Sequence, residues 1–232
     1  MGQNRSSAVM ARRIEPRDSL DDFPTPPWGT RALIEHVLIG HGWRRDQLAA
    51  QTVWEPAANR GFMARPLAEY FGSVVASDVH DYGAGFVVDD FLLPCRRLPA
   101  VDWIITNTPF RLAAEFALRG LEIARQGVAL LVRTAFAEGI ERYETLFKPH
   151  PPLMEAVFCE RLPMVKGRVD PKAVSATSYS WIVWPGRDFK RADLTTRRLW
   201  IPACRRELER PGDYPADPQP LEGPLPLIEV GA

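Results

Sequence analysis

Short apolar runs alternate along the chain with stretches in which apolar residues recur three or four positions apart. The runs predict strands and the stretches predict helices. Strands are expected at 52–55, 74–78, 86–88, 102–106, 128–132, 156–159 and 179–184. Helices are expected over 27–40, between the turn at 56–61 and Gly72, and over 111–125. This alternation is typical of βαβ units, so we expect an α/β fold with a largely parallel sheet.

The two ends of the chain differ from this central pattern. Residues 1–21 are polar and predict a flexible N-terminal arm, and the Pro-rich residues 207–232 predict an extended C-terminal tail. One folded domain is therefore expected over 22–206. No apolar run suits a signal peptide or a membrane-spanning helix, and the three cysteines show no CxxC spacing. We expect a cytoplasmic protein without membrane contact.

Two motifs stand at the ends of predicted strands, where open parallel sheets collect their ligands. The turn Glu-Pro-Ala-Ala-Asn-Arg-Gly at 55–61 has small residues that let the backbone approach a cofactor, although an ordinary turn is the alternative. Asp78 follows the second strand, where a carboxylate can accept hydrogen bonds from ribose hydroxyls. It could instead cap the next turn. A metal site at 78–81 lacks further ligands at suitable spacing, so no metal is expected.

A third motif, Asn107-Thr108-Pro109-Phe110, follows the fourth strand directly. With Glu55-Pro56 and Asp78 upstream, it resembles the (Asp/Asn/Ser)-Pro-Pro-(Tyr/Phe) signature of amino methyltransferases. The Asp-Phe-Pro-Thr-Pro stretch at 22–26 is similar to the N-terminal cofactor-binding segment of those enzymes. Residues 22–184, about 70% of the 232, resemble DNA N6-adenine methyltransferases of the phage and prophage type. The resemblance implies a Rossmann-like, seven-stranded methyltransferase sheet with helices on both faces, in a methyltransferase domain over 22–206.

The resemblance also implies S-adenosylmethionine as the cofactor and assigns residues to it. The implied cofactor-binding residues are Phe23, Thr25, Pro26, Glu55, Pro56, Ala57, Asn59, Gly61, Asp78, Val79, Asp90 and Phe91. The implied catalytic residues are Asn107, Thr108, Pro109 and Phe110. The lone pair of the adenine amine is delocalised into the ring, so the amine becomes nucleophilic only when acceptors hold its hydrogens. In the family, the Asn side-chain oxygen and the next carbonyl do this, and the aromatic residue stacks on the base. Core packing at a helix start is the alternative role for Phe110.

Two residues depart from the family pattern. Thr108 stands where a proline is usual, but it precedes Pro109, so its backbone stays biased toward the extended region and its carbonyl is equivalent. Asn59 stands where a glycine is usual. Asparagine tolerates a positive φ better than most residues, although its side chain could crowd the cofactor. These departures leave open how much activity the chain retains.

Basic and acidic residues balance at 29 each over the whole chain, but twelve basic against six acidic residues fall within 160–210. We expect the basic segment at 161–191 to contact DNA phosphates, with a solvated loop as the alternative. The residues expected to make these contacts are Lys166, Arg168, Lys172, Ser175 and Thr177. Double-stranded DNA is the expected partner of a monomer or weak dimer.

The sequence therefore predicts a site-specific, adenine-specific DNA methyltransferase that transfers a methyl group to N6. One alternative keeps the chemistry and changes the acceptor to an RNA base or a protein glutamine, because similar tetrapeptides hold planar nitrogens there. Another is a methyltransferase-like DNA-binding module in which Asn59 and Thr108 mark weakened catalysis. The basic segment and the stretch at 22–26 favour DNA.

Overall fold

The computed structural model describes residues 21–93 and 101–214. The expected N-terminal arm, apart from Asp21, and residues 215–232 of the expected tail lie outside the described residues. Within the described part, the structure is built around one eight-stranded sheet flanked by short helices.

The strands are β1 (Thr52–Glu55), β2 (Ser73–Asp78), β3 (Val87–Val88), β4 (Trp103–Asn107), β5 (Gly127–Arg133), β6 (Met154–Phe158), β7 (Tyr179–Pro185) and β8 (Arg197–Ile201). Across the sheet they lie in the order β3-β2-β1-β4-β5-β7-β6-β8. β7 is antiparallel to both of its neighbours, and every other pair is parallel. The first five strands have the 3-2-1-4-5 order of a doubly wound fold, whose ligands bind beyond the carboxyl ends of the strands.

The helices are short. They are α1 (Pro27–Ala32), α2 (Arg45–Ala49), α3 (Ala64–Ala68), α4 (Ala113–Ile123), α5 (Ile140–Arg142) and α6 (Arg205–Leu208). α1 continues through a π-helical stretch, Leu33–Leu38, and a 3₁₀ turn, Ile39–His41. The chain leaves this composite helix at Gly42, whose φ is 112°, and not at Gly40 as the sequence pattern predicted. In contrast, α3 and α4 are shorter than the predicted helices.

The central strands are buried on both faces, which is why they are almost continuously apolar. Trp103 and Ile105 of β4 pack in the core cluster that contains α1 and α3. Ile104, between them, packs in the second cluster, with α4. The predicted Rossmann-like sheet with helices on both faces is confirmed.

The prediction of seven strands was one short. β8 lies at the edge of the sheet beside β6, and most of its side chains are exposed, Trp200 to 67%. An edge strand with such a pattern carries no apolar run, so the periodicity gave no signal for it.

The expected tail began at residue 207, but residues 207–214 pack against the domain. The Arg31 guanidinium donates to the Leu208 carbonyl at 2.8 Å and to the Asp213 carboxylate at 2.7 Å. Arg31 also pairs with Glu69. The folded part of the chain therefore extends past residue 206. Among the helices of the described ranges, none combines the length and apolarity needed to cross a bilayer.

Candidate functional site

A cavity lies at the carboxyl ends of the central parallel strands. Glu55, Asp78 and Asn107 are the last residues of β1, β2 and β4, and all three line one cavity, the main cavity. It encloses about 930 Å³, including its open mouth.

The main cavity brings together most residues that the sequence assigned to a cofactor or to catalysis. Those that line it are Phe23, Thr25, Glu55, Pro56, Ala57, Asn59, Asp78, Val79, Asp90, Phe91, Asn107 and Pro109. Four assigned residues are not part of this lining. Pro26 precedes α1, and Gly61 forms the turn before α3 with a φ of 80°. Thr108 and Phe110 line a neighbouring cavity instead.

The lining of the main cavity is acidic. Five carboxylates line it, and no Lys, Arg or His does so among the described residues. The five are Asp21, Glu55, Asp78, Asp89 and Asp90. Within the described ranges, no group of three or more His, Cys, Asp or Glu side chains is arranged to hold a metal ion. The charge of this lining favours a cationic ligand and disfavours phosphate groups.

Glu55 is the most deeply buried of these acids, at 2% exposure. Burial raises the pKa of its carboxyl well above the usual value of 4.5, and the nearby charge of Asp78 adds to this effect. Its Oε2 atom is buried without a hydrogen-bond partner. A buried acceptor without a partner destabilises the protein, so a cation or donor placed there would be bound strongly.

The Asp78 carboxylate accepts two backbone hydrogen bonds and also lines the main cavity. Its Oδ1 accepts the His80 backbone N–H at 3.0 Å, and its Oδ2 accepts that of Asn59 at 2.9 Å. The capping role considered for Asp78 is therefore present, and the residue lines the main cavity as well. Each carboxylate oxygen has a second lone pair, which remains for a ligand hydroxyl.

Asn59 is the only non-glycine residue of the described ranges with a positive φ, 51°. Asparagine tolerates this conformation better than most residues do. The Asn59 side chain donates from Nδ2 to Asp22 Oδ1 at 2.8 Å, and Arg60 forms an ion pair with the same carboxylate at 3.0 Å. The loop at 56–61 is thereby tied to the N-terminal segment, residues 21–26, which forms another wall of the main cavity.

Asn107 has one satisfied and one unsatisfied side-chain atom. Its Nδ2 donates to the Phe23 carbonyl at 2.9 Å. Because a carbonyl oxygen only accepts, this bond fixes the orientation of the amide and leaves Oδ1 as the remaining acceptor. Oδ1 is buried and has no hydrogen-bond partner. A residue that lines the cavity therefore offers an acceptor that is already oriented.

The second cavity, of about 530 Å³, lies on the other side of the 107–110 turn. It is lined by Thr108, Phe110, Ala113, Val132, Arg133, Ala135, Phe136 and Arg142. The Phe110 ring is partly buried and lies 5.5 Å from the Phe23 ring, and the Arg133 guanidinium lies 4.1 Å from its centroid. Phe110 thus packs against neighbours and also borders an open cavity.

The basic segment at 161–191 does not form one surface. Its turn at 165–168 lies against the N-terminal segment, since the Gly167 N–H donates to the Asp22 carbonyl at 2.8 Å. Arg168 there is paired with Asp170 at 3.1 Å. β7 then runs antiparallel to β5, so Arg187 and the residues after it lie beyond the amino end of β5, at the opposite ends of the strands from the main cavity. The segment is divided because β7 reverses direction.

Several lining residues were missed by the sequence analysis. Asp89 neighbours the predicted Asp90, and Arg133 ends a buried strand as Asn107 does, so the strand-end rule could have found Arg133. Tyr82 carried no such signal. Its ring lies 5.4 Å from the Arg60 guanidinium, and burial raises the pKa of its hydroxyl to about 12.

No protein-family model matches the sequence, and no curated protein is significantly similar to it. Solved structures do share its fold. A Pyrococcus horikoshii protein described as a candidate RNA methyltransferase has a TM-score of 0.52 at 14% identity, covering 75% of this chain and 90% of its own. A Listeria monocytogenes protein described as a candidate class I S-adenosylmethionine-dependent methyltransferase has a TM-score of 0.53 at 14% identity, covering 79% and 68%. These likenesses show that the chain has the Rossmann-like fold of those proteins.

Proposed function

We propose that the protein is an S-adenosylmethionine-dependent methyltransferase that modifies the N6 amine of adenine in double-stranded DNA. Three features support this proposal: the fold, the acidic main cavity at the carboxyl ends of the strands, and the 107–110 turn at its wall. Fold alone does not define an activity, so the residues of the site carry the argument.

The lining of the main cavity suits the charge of S-adenosylmethionine. This cofactor supplies an electrophilic methyl carbon on a positively charged sulfur. Five carboxylates without a basic residue in the described lining suit a cation, and they oppose the pyrophosphate of a dinucleotide. The small residues Ala57 and Ala58 allow close approach to the backbone, and Asp78 has lone pairs for ribose hydroxyls.

The buried, unpaired Oδ1 of Asn107 is the observation that carries the proposal. It can accept one hydrogen of an adenine amine, and the Thr108 carbonyl is suited to accept the other. Holding both hydrogens localises the nitrogen lone pair and aims it at the main cavity. The chain then contributes positioning and electrostatic stabilisation, without a strong base or a covalent intermediate.

The acceptor base would stack on Phe110 from the side of the second cavity. Stacking on an aromatic ring is worth about 1–3 kcal/mol per base, which helps to offset the cost of flipping a base out of a duplex. Lys166, Arg168, Lys172, Ser175 and Thr177 belong to the loop beside the N-terminal segment, and DNA phosphates are the proposed ligands of that loop.

Radioactive methyl transfer tests the proposal directly. The full chain is incubated with tritiated S-adenosylmethionine and one of three acceptors: duplex DNA, RNA of the same sequence, or a glutamine peptide. We expect label in DNA, recovered as N6-methyl-2′-deoxyadenosine after digestion. Asn107→Ala should lower the transfer rate on the order of 10²- to 10³-fold, as the loss of one positioned catalytic group does elsewhere.

Gln126→Ala is a matched control, because it also removes an amide but lies immediately before β5, at the opposite edge of the sheet. It should transfer at the wild-type rate. Transfer that Asn107→Ala leaves unchanged would refute the proposed chemistry. Faster transfer to RNA or to the peptide than to DNA would show that the proposed acceptor is wrong, while the proposed chemistry of methyl transfer would stand.

A further inference from the structure

Arg133 covers a face of the Phe110 ring. It is the last residue of β5, it is exposed, and its guanidinium carbon lies 4.1 Å from the ring centroid. Two other rings, Phe23 at 5.5 Å and Tyr179 at 6.5 Å, also lie against Phe110. The guanidinium therefore occupies a ring face that borders the second cavity and that a planar base would need.

The charge of Arg133 is not neutralised by a carboxylate of the described residues. The guanidinium lies against the Phe110 ring and near the Tyr179 hydroxyl, where burial raises the pKa of the tyrosine and Arg133 partly offsets that rise. Arg142, in the same cavity, differs. Its guanidinium donates to the carbonyls of Phe136 and Glu138. Arg133 is thus the arginine of this cavity that can take a new anionic partner.

We infer that Arg133 is a phosphate-binding residue that selects a polynucleotide acceptor. This inference rests on the proposed function. A base that stacks on the covered face of Phe110 must displace the guanidinium, which stays tethered to the end of β5. The planar fork of a guanidinium matches two oxygens of a phosphate, so the phosphodiester next to the flipped nucleotide is its natural partner.

The exchange has a consequence for specificity. A nucleotide within a strand brings a phosphate, and its ion pair with Arg133 compensates for the broken cation–π interaction with Phe110. A free nucleoside or a glutamine side chain displaces the same guanidinium and offers no anion in return. Arg133 therefore favours nucleic acid over neutral acceptors that the 107–110 turn could otherwise hold.

Two probes test this role in the full-length protein. The first is a fluorescent duplex oligonucleotide with a mismatched adenine, whose affinity is measured from about 50 to 200 mM salt. The second is free 2′-deoxyadenosine, used with the oligonucleotide as a methyl acceptor. Arg133→Ala should reduce the log–log salt slope for the oligonucleotide by about 0.9, the loss of one neutralised phosphate.

Steady-state kinetics distinguish a role of Arg133 in phosphate binding from a role in packing. Arg133→Ala should raise the KM for the oligonucleotide about tenfold and change kcat less than threefold, since Arg133 is not expected to touch the reacting atoms. The KM for 2′-deoxyadenosine should stay equal or fall, because a competing guanidinium has left the ring. Arg44→Ala, the same charge change at an exposed residue that precedes α2 and lies outside the basic segment, should behave as wild type in every measurement.

An unchanged salt slope, or an equal rise in KM for both acceptors, would reduce Arg133 to a packing residue. The binding arm needs no methyl transfer, so the two proposals fail separately. Absence of transfer to any acceptor overturns the proposed function, while the salt slope still decides whether Arg133 binds phosphate.

Discussion

The two cavities on either side of the 107–110 turn have opposite electrostatic character. The main cavity is lined by five carboxylates and by no basic residue among those described, whereas the second cavity is lined by two arginines and two phenylalanines. Pro109 and Asn107 face the first, and Thr108 and Phe110 face the second. One tetrapeptide thus separates a region suited to a cation from a region suited to an anion with an aromatic base.

This contrast would allow a chain without net charge to bind two ligands of opposite charge, as the proposed function requires. The chain as a whole has 29 basic and 29 acidic residues, and these equal numbers do not reveal that opposite charges lie on the two sides of the 107–110 turn. Net charge describes solubility and nonspecific attraction, while the local field selects ligands. The following predictions test that separation, from the largest effect to the smallest.

Replacing the most buried acid should affect one ligand and spare the other. Glu55→Gln keeps the shape and removes the charge, so S-adenosylmethionine affinity should fall on the order of 10- to 100-fold, the value of a hydrogen bond to a charged group. Oligonucleotide affinity should not change. Calorimetric titration with each ligand measures both, and the exposed Glu115→Gln on α4 is the control. An equal loss for both ligands would contradict the separation.

Salt should distinguish the two regions in the wild-type protein. Oligonucleotide affinity should fall about 3.5-fold per neutralised phosphate between about 50 and 200 mM salt, hence about 40-fold for three phosphates. S-adenosylmethionine affinity should change less than twofold over that range, because Glu55 and Asp78 of the proposed cofactor site are buried and their charges are screened little. Titrations with each of the two ligands over this salt range measure both dependences. A steep salt dependence of cofactor binding would argue against a buried acidic site.

A pH titration should show the raised pKa of Glu55 in two ways. Under the proposed function the cofactor pairs with the ionised carboxylate, so its affinity should rise with pH, by up to about tenfold per unit, until Glu55 has lost its proton. The folded state binds this proton more tightly than the unfolded state does, so ligand-free stability should fall as pH rises from the usual Glu value toward the raised one. Both trends should be weaker in Glu55→Gln. Urea unfolding and cofactor titration from about pH 5 to 8 measure them.

The smallest expected effect concerns Asn59. Asn59→Gly keeps the positive φ and loses two side-chain hydrogen bonds, from Nδ2 to Asp22 and from the Arg60 N–H to Oδ1, so cofactor affinity should change by a few-fold. Asn59→Ala loses the same two bonds and must hold a left-handed conformation, which costs about 1–2 kcal/mol. Urea unfolding of the two variants compares them. A more stable alanine variant would show that this backbone conformation is not required.

The strand-end motifs were predictable because parallel strands bring distant residues to one edge. Glu55, Asp78 and Asn107 each follow an apolar run, and the structure places all three around the main cavity. Local pattern and topology agree there, which makes sequence reasoning effective. The cofactor and acceptor roles of these residues remain predictions for the experiments above.

Three features could not be obtained from the pattern. β8 is a half-exposed edge strand, so it has no apolar run. The division of the basic segment follows from the antiparallel direction of β7, which strand periodicity does not reveal. Phe110 and Arg133 are paired by tertiary packing between the end of β5 and a turn 23 residues earlier, an interaction without local signature.

The hydrogen bond from Asn107 to the Phe23 carbonyl joins residues 84 positions apart. A free side-chain amide can rotate by half a turn and exchange its oxygen with its nitrogen, which would present a donor where an acceptor is needed. A shortened chain that began after Pro26 would keep every motif at the strand ends. It would nevertheless lose the Phe23 carbonyl oxygen, which fixes the orientation of the Asn107 amide. The presence of the motifs alone would therefore not predict whether Asn107 presents its oxygen to a ligand.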